Sequence, residues 1–272
     1  MRHTMSVTDK SFIGSIPELY DRLMVPLIFE PYARDLAARA LALAPRSVLE
    51  VAAGTGAVTR ALAARLPADT KLVATDLNQP MLDQARKQMA DAPHIIFRQA
   101  DAQALPFDDA QFDVVLCQFG AMFFPDRAKA YREAKRVLKP GGHYLFNVWG
   151  RIEDNEFADE VTRTLALLFP SDPPRFLART PHGYHDPDKI RTDLRAAAFE
   201  DISIMPLEAV STAPSPDDVA VAYCQGTPLR AEIEARGGSL EEATQNAAEA
   251  IAKRFGRGAV SGRIQALFVT AR

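Results

Sequence analysis

The chain has 272 residues, of which 47% are hydrophobic and 25% are charged, and its formal net charge at pH 7 is −3. This composition is typical of a soluble globular protein, and the length suits either one large α/β domain or one domain plus a cap. A charge this close to neutral gives no electrostatic reason to bind nucleic acid or an anionic membrane. No apolar run reaches the roughly 18 residues that a membrane span requires. Neither nucleic acid nor a membrane span is therefore predicted.

Cysteine usage and the first residues bear on the cellular compartment. Residues 1–12 lack the apolar core of a secretory signal. The two cysteines, Cys117 and Cys224, lie far apart, so no disulfide framework is expected and a reducing cytoplasm is the predicted location. Cys117 is predicted to be a small buried hydrophobic residue. No cluster of His, Cys and Asp has metal-ligand spacing, so no metal is predicted.

Strands and helices are predicted to alternate through the first half of the chain. The predicted strands cover 47–52, 71–76, 94–101, 112–119 and 143–150. The predicted helices between them cover 58–66, 79–90 and 126–138. Apolar runs imply strands that are covered on both faces, and helices between them imply parallel crossovers. The pattern predicts a doubly wound, mostly parallel α/β sheet, whose ligands bind outside the carboxyl ends of the strands.

The flanking regions extend this pattern. Residues 6–43 are predicted to be helical. After residue 150 a helix is predicted over 187–199 and a strand over 200–210. Two helical stretches follow over 217–236 and 239–255, and a final strand covers 262–272.

The turn after the first strand, in the sequence SVLEVAAGTGAVTR, contains Gly54 and Gly56. Without a Cβ the backbone can bend sharply there and a ligand can approach the main chain closely. Asp76 ends the second strand at about the 20-residue spacing at which an acid accepts hydrogen bonds from ribose hydroxyls. Asp101 ends the third strand, where it can accept from an adenine amino group. Together these strand ends predict a nucleoside-binding site.

Four segments resemble the successive motifs of class I S-adenosylmethionine-dependent methyltransferases: VLEVAAGTGAVT, ATDLNQPMLDQA, QADAQALPFDDAQFDVVLCQFGAMFF and EAKRVLKPGGHYLFNVW. They are most similar to the branch that contains the ubiquinone/menaquinone-type and small-molecule methyltransferases, over residues 36–150. One departure is Ala52, which stands where many members have the first glycine of the loop.

The resemblance implies a seven-stranded, Rossmann-like methyltransferase fold, with S-adenosylmethionine as cofactor and S-adenosylhomocysteine as product. Residues 1–46 would close the cofactor site, residues 47–150 would bind the cofactor, and residues 151–272 would complete the sheet and carry helical lid insertions. The cofactor-binding positions implied are Glu50, Ala52, Gly54, Thr55, Gly56, Asp76, Leu77, Met81, Asp101, Ala102 and Gln118. In the implied roles Glu50 supports the loop, the loop passes beneath the methionine part, and Asp76 holds the ribose. The adenine is implied to lie against Leu77, Met81, Asp101 and Ala102, and the Gln118 carbonyl to lie near the cofactor's amino group.

Other interpretations of these residues stay open. Leu77 and Met81 are equally explained as helix-facing core, and Asp101 as the cap of a turn. An NAD-dependent oxidoreductase would also use a glycine loop, but it expects G-x-G-x-x-G, and the last position of that frame is Thr59. A third alternative is a methyltransferase-like partner protein that binds the cofactor without catalysis.

The methyl acceptor is predicted to be a small, partly apolar molecule, because no basic patch is present and the segment QFGAMFF is aromatic and apolar. The candidate general bases are His182 and His185, although loop histidines are more often solvated. The candidate substrate contacts are Tyr20, Phe119, Phe123 and Tyr184. His94 and His143 each begin a predicted strand and are interpreted as structural. The insertions are predicted to form a lid; the alternative is oligomer packing, in which case a homodimer is expected.

Overall fold

The computed structural model describes residue 14, residues 16–92 and residues 94–272. The strands are β1 (Ser47–Val51), β2 (Lys71–Asp76), β3 (Ile96–Gln99), β4 (Phe112–Gln118), β5 (Leu138–Trp149), β6 (Ile202–Ala213) and β7 (Val260–Ala271). The helices are α1 (Ile16–Leu19), a π-helix (Tyr20–Phe29), α2 (Glu30–Ala42), α3 (Ala57–Ala63), α4 (Gln79–Gln88), α5 (Arg127–Val137), α6 (Glu156–Leu168), α7 (Phe176–Arg179), α8 (Pro187–Arg195), α9 (Pro216–Gln225), α10 (Leu229–Ala235) and α11 (Leu240–Phe255).

Within the described residues, seven strands form one sheet in the order β3-β2-β1-β4-β5-β7-β6. The first five strands pair in parallel, whereas β7 runs antiparallel to both β5 and β6. Every residue of β1 is buried, as expected for a parallel strand that is covered on both faces. The predicted doubly wound, mostly parallel α/β fold is confirmed.

Side chains alternate between the two faces of this sheet, so that two hydrophobic cores form. Val48 and Leu116 pack in the core on one face, and Leu49 and Val115 pack in the core on the other. This alternation follows from the two-residue period of a strand. None of the helices in the described part of the chain combines the length and the apolar character that a membrane crossing needs.

Capping residues set the beginnings of several helices. The Asp126 side chain accepts from the Lys129 N–H before α5, and the Ser239 hydroxyl accepts from the Glu242 N–H before α11. Each cap satisfies one of the backbone donors that a helix start leaves without a partner inside the helix.

Three predicted boundaries are wrong. The helical stretch predicted over 217–236 ends at Gln225 and restarts at Leu229, because Pro228 has no N–H with which to continue a helix. The fifth strand begins at Leu138, so His143 lies inside β5 and does not begin it. The third strand is shorter than predicted, and His94 lies exposed before it.

The N-terminal segment contacts the insertion between β6 and β7. Residues 6–13 and 15 of the predicted N-terminal helix lie outside the described residues; α1, the π-helix and α2 follow without a break. The π-helix packs against α9 and β6, and α9 packs against α11 and α6. The Ser211 hydroxyl of β6 donates to the Leu27 carbonyl at 2.7 Å and so ties the π-helix to the sheet.

Candidate active site

The loop after β1 has an unusual backbone. Ala52, Gly54 and Gly56 have φ angles of 55°, 58° and 84°, which lie in the left-handed region. Glycine adopts this region without cost, whereas alanine is strained there. The alanine that replaces the commoner glycine of the family is therefore held in a conformation that suits glycine.

The two loop glycines have different neighbours. A Cβ on Gly54 would lie 3.7 Å from the Met81 Cε, an ordinary contact. A Cβ on Gly56 would lie 2.6 Å from the Met89 Cε and 3.2 Å from the Ala85 Cβ. Gly54 lines the cleft described below, whereas Gly56 lines none of the three cavities described here and instead lets α3 pack closely against the α4 region. Gly56 thus serves close packing, and its predicted place beneath the methionine part of a cofactor stays a prediction.

Asp76 closes β2 and holds the loop. Its Oδ2 accepts from the Gly54 N–H at 2.9 Å, and its Oδ1 accepts from the Asn78 N–H at 2.8 Å. Burial raises the pKa of this carboxyl, and the backbone hydrogen bonds oppose that rise. The carboxylate is 7% exposed and faces the cavity that Gly54 also lines.

Glu50 supports the loop from below. Its side chain is buried in β1 and its Oε2 accepts from the Thr59 hydroxyl at 2.5 Å. Burial raises the pKa of Glu50 to about 8, and the Thr59 hydrogen bond opposes this rise. Thr59 occupies the position of the third glycine in a dinucleotide-binding loop, so a side chain fills the space that such a loop leaves bare.

A cleft of about 800 Å³ lies at the carboxyl ends of β1, β2 and β4. Predicted residues that line it are Tyr20, Ala52, Gly54, Asp76, Leu77, Met81, Asp101, Ala102, Gln118, Phe119 and Phe123. Leu77 is 45% exposed, which is unusual for a core leucine, whereas Met81 is buried. The strand ends that the sequence pattern indicated therefore meet in one place.

Asp101 combines two of its interpretations. Its side chain is exposed and accepts from the Gln103 N–H at 2.9 Å, so it caps a turn. It also lines the cleft beside Ala102, which is buried.

A smaller cavity of about 310 Å³, here called the loop cavity, adjoins the cleft beneath the glycine loop. Thr55 and Gln118 line it, and the Thr55 hydroxyl and the Gln118 Oε1 are buried with no hydrogen-bond partner among the described residues. The Gln118 Nε2 donates to the Phe29 carbonyl at 3.3 Å, which fixes the carboxamide. Buried polar atoms are nearly always hydrogen-bonded, so these two oxygens mark places where a ligand donor fits.

A third cavity of about 540 Å³, here called the aromatic chamber, shares Tyr20, Phe119 and Phe123 with the cleft. The rest of its lining is Met24, Ile28, Phe29, Trp149, Asn155, Phe176, Leu177, Pro181, His182, Tyr223, Thr227 and Pro228. Phe119 stacks on Trp149 with ring centroids 3.8 Å apart and planes inclined by 7°. Phe119 also has a φ of 50°, a strained conformation of the kind that collects at functional sites.

Glycine is required where the loop after β4 meets the loop after β1. A Cβ on Gly120 would lie 2.5 Å from the Ala52 Cβ and 2.7 Å from the Cys117 Sγ. The close approach places Phe119 at the wall between the cleft and the chamber. Cys117 itself is buried, as predicted, and burial raises the pKa of its thiol to about 12.

The structure separates the two candidate histidines. His182 is 6% exposed, lines the aromatic chamber and holds its Nδ1 at 3.0 Å from the Gly150 carbonyl. Burial lowers the pKa of His182 to about 4, so the ring is neutral near pH 7. His185 holds its Nδ1 at 2.7 Å from the His182 carbonyl and lines none of the three cavities.

Tyr184 does not lie where the substrate prediction placed it. It is buried, it donates to the Asp193 carboxylate at 2.9 Å, and the Arg127 guanidinium lies over its ring at 4.1 Å. It lines neither the cleft nor the chamber, because these contacts bind it into the core beside Tyr131. Tyr184 is therefore withdrawn as a substrate contact.

Four aromatic residues of the chamber were missed from the sequence: Phe29, Trp149, Phe176 and Tyr223. Trp149 ends β5, so the rule that indicated the ends of the other strands also points to it. The other three lie on the π-helix, α7 and α9, where no motif marks them. Among the described residues, no group of three His, Cys, Asp or Glu side chains is placed to hold a metal ion.

Comparisons with known proteins point to a methyltransferase domain. The methyltransferase-domain family profile matches residues 49–146. A ubiquinone/menaquinone biosynthesis C-methyltransferase, UbiE, from Escherichia coli O1:K1 is 33% identical over 177 residues, which is 60% of this chain and 70% of that protein. The UbiE protein of Idiomarina loihiensis is 31% identical over 175 residues, or 57% of this chain and 66% of its own length. Alignments with the first three curated relatives span 41% to 66% of their lengths.

The solved structure of the YcgJ protein from Bacillus subtilis has the same fold, with a TM-score of 0.57 and 20% identity over 89% of this chain and 97% of that one. Fold and glycine loop together define a class I methyltransferase scaffold. The chain belongs to the class I S-adenosylmethionine-dependent methyltransferases, and it resembles their ubiquinone/menaquinone-type branch.

Proposed function

We propose that this protein binds S-adenosylmethionine in the cleft and transfers its methyl group to a small, partly apolar acceptor in the aromatic chamber. One observation carries the proposal. The cleft and the chamber share the wall formed by Tyr20, Phe119 and Phe123, so two ligands bound in them would be neighbours. The names of the curated relatives, which refer to ubiquinone and menaquinone biosynthesis, support an acceptor with an apolar body.

The residues present fit the cofactor. Asp76 offers a carboxylate to two ribose hydroxyls, while Leu77 and Met81 offer an apolar surface to adenine, with Asp101 and Ala102 at its edge. The partnerless oxygens of Thr55 and Gln118 in the loop cavity suit the donors of a methionine ammonium group. This goes beyond the predicted role of Gln118, which involved only its backbone carbonyl.

When bound, the cofactor supplies an electrophilic methyl group on a sulfonium, so the chain need only position the acceptor and exclude water. Phe119 and Trp149 contribute a stacked apolar surface to the chamber lining. Alignment of the acceptor with the methyl group for in-line transfer is part of the proposal. The acceptor would be oriented by the chamber walls.

We further propose the division into an N-terminal closing segment (residues 1–46), a cofactor-binding core (47–150) and a cap with the remaining strands (151–272). Tyr20, on the first part, lines all three cavities. Tyr223 and Thr227, in the insertion between β6 and β7, line the chamber. These positions favour a lid over an oligomer interface as the role of the insertion.

Calorimetric titration tests the proposal against its alternatives. The protein should bind S-adenosylmethionine and S-adenosylhomocysteine and not NAD, because Thr59 fills the place of the third glycine of a dinucleotide loop. Binding of NAD alone would make the protein an oxidoreductase. Transfer of isotope-labelled methyl to a panel of small apolar acceptors then addresses catalysis. Cofactor binding without transfer to any acceptor would favour the non-catalytic partner protein.

A further inference from the structure

The aromatic chamber has no charged wall. Its lining, among the described residues, contains no Asp, Glu, Lys or Arg, and its histidine is neutral near pH 7. A charged ligand entering it would lose hydration without gaining a counter-ion, which is costly. The chamber is therefore built for an uncharged molecule.

Two polar side chains of the lining are already fully engaged. The Asn155 Nδ2 donates to the Arg151 and Gln265 carbonyls at 2.9 and 3.2 Å, and its Oδ1 accepts from the Gln265 N–H at 3.1 Å. The Thr227 hydroxyl donates to the Tyr223 carbonyl at 2.7 Å and accepts from the Leu229 N–H at 3.2 Å. Both residues hold the chamber together and have little capacity left for a ligand.

His182 is different, because only one of its two ring nitrogens, Nδ1, has a hydrogen-bond partner among the described residues. A carbonyl oxygen only accepts, so the Nδ1 that faces the Gly150 carbonyl carries the hydrogen of the neutral ring. The tautomer makes Nε2 a pure acceptor, and within the described part of the chain no donor reaches it. The Tyr223 hydroxyl likewise has no partner among the described residues, although Tyr223 is 3% exposed.

We infer that the aromatic chamber selects an uncharged acceptor bearing an O–H or N–H group on an apolar body, with the His182 Nε2 accepting that hydrogen and the Tyr223 hydroxyl as a second contact. This inference rests on the proposed function in treating the bound molecule as the methyl acceptor. The selectivity for the bound molecule is a property of the chamber alone. A molecule without such a donor leaves Nε2 unsatisfied in a buried site, which disfavours it. His182 thus determines specificity through a hydrogen bond.

Trp149 supplies a direct readout of chamber occupancy, since it is the sole tryptophan of the chain and lines the chamber. Three probes of similar shape differ only in the group of interest: para-tert-butylphenol, para-tert-butylanisole and para-tert-butylbenzoate. Titration near neutral pH, with Trp149 emission excited at the red edge, gives their dissociation constants. We expect the phenol to bind about fivefold to tenfold more tightly than the anisole, and the benzoate most weakly.

The His182→Phe variant should bring the ratio of phenol to anisole affinity to about one, while His94→Phe, at an exposed position outside the chamber, should leave it as in the wild type. An unchanged ratio in folded His182→Phe protein, or a benzoate that binds as tightly as the phenol, overturns the inference. Should circular dichroism show that His182→Phe does not fold, Tyr223→Phe decides: it removes one hydroxyl, and an unchanged ratio there also counts against the inference.

A separate calorimetric titration with S-adenosylmethionine keeps the two proposals apart. Probe selectivity without cofactor binding would refute the proposed function and leave the chamber's specificity standing. Cofactor binding with a wild-type ratio of about one would refute the specificity alone.

Discussion

The two loop glycines should respond differently to the same substitution. Alanine at either position must adopt a left-handed backbone, since φ is 58° at Gly54 and 84° at Gly56. At Gly54 the new methyl meets only the Met81 Cε, at 3.7 Å, on the side of the cleft. At Gly56 it meets the Met89 Cε at 2.6 Å and the Ala85 Cβ at 3.2 Å. We therefore expect Gly54→Ala to affect binding and Gly56→Ala to affect folding.

The magnitudes follow from these contacts. A left-handed backbone costs a residue with a Cβ about 1–2 kcal/mol, and this cost applies to both variants. Overpacking adds about 1–3 kcal/mol at Gly56 alone, because the new methyl must displace the flexible end of Met89 and press on the Ala85 Cβ, which is fixed to α4. The free energy of unfolding should therefore fall by about 1–2 kcal/mol in Gly54→Ala and by about 2–5 kcal/mol in Gly56→Ala. Affinity for S-adenosylmethionine should fall about tenfold in Gly54→Ala, because the methyl occupies the cleft.

Urea unfolding and calorimetric titration measure the two effects separately. Combining Gly56→Ala with Met89→Ala removes the nearest clashing atom, so the cost of Gly56→Ala should be smaller in that background by most of the overpacking share. A Gly56→Ala variant that loses no more stability than Gly54→Ala, or loses the same amount with and without the Met89 side chain, would contradict the packing role of Gly56.

Three further predictions concern charged groups. Asp76→Ala should stay folded and, in calorimetry, bind S-adenosylmethionine at least about tenfold more weakly, because it loses about 1.5–3 kcal/mol of charge-assisted hydrogen bonding. The control variant Asp83→Ala, on the exposed side of α4, should bind normally. Burial raises the pKa of Glu50 from 4.5 to about 8, so the folded state holds this proton more tightly than the unfolded state does. The free energy of unfolding should therefore fall as the pH rises from about 4.5 to about 8. In Glu50→Gln the thermal unfolding temperature should depend less on pH over the same range. The Arg60 Nη2 pairs at 3.2 Å with Asp21 of the π-helix, and so ties the proposed N-terminal closing segment to the core. Arg60→Met should therefore weaken cofactor affinity a fewfold while leaving stability unchanged. An affinity equal to that of the wild type would contradict this.

The cleft could be predicted because it depends on strand ends. Parallel strands bring their carboxyl ends to one edge, so Gly54, Asp76, Asp101 and Gln118 had to meet once the strands were identified. The role of Gly56 could not be predicted in this way. Its constraint comes from Met89, more than 30 positions away in the chain and marked by no motif.

The aromatic chamber was less predictable because side chains from several separate elements form it. Met24 and Tyr223 are buried on separate helices, and nothing in the local sequence indicates that they face the same cavity. Tyr184 shows the converse error: it lies between two histidines in a segment interpreted as a loop, yet its hydroxyl and ring are both used by the core. Tertiary contacts determine whether such a side chain faces a cavity or the core, and the local sequence does not show those contacts.

The wall between the cleft and the chamber combines a residue placed by the end of a strand with a residue placed by a helix. Phe119 follows the β4 motif directly, so its position is set by the sheet, whereas Tyr20 comes from the π-helix. The strained backbone at Phe119 is held by the Trp149 ring and by its own N–H, which donates to the Asn147 carbonyl at 3.0 Å. Backbone geometry at the strand ends thus builds the cleft, and side chains from several helices build most of the aromatic chamber. Substitutions at His182 or Tyr223 should therefore change which acceptor binds without changing how the cofactor is held.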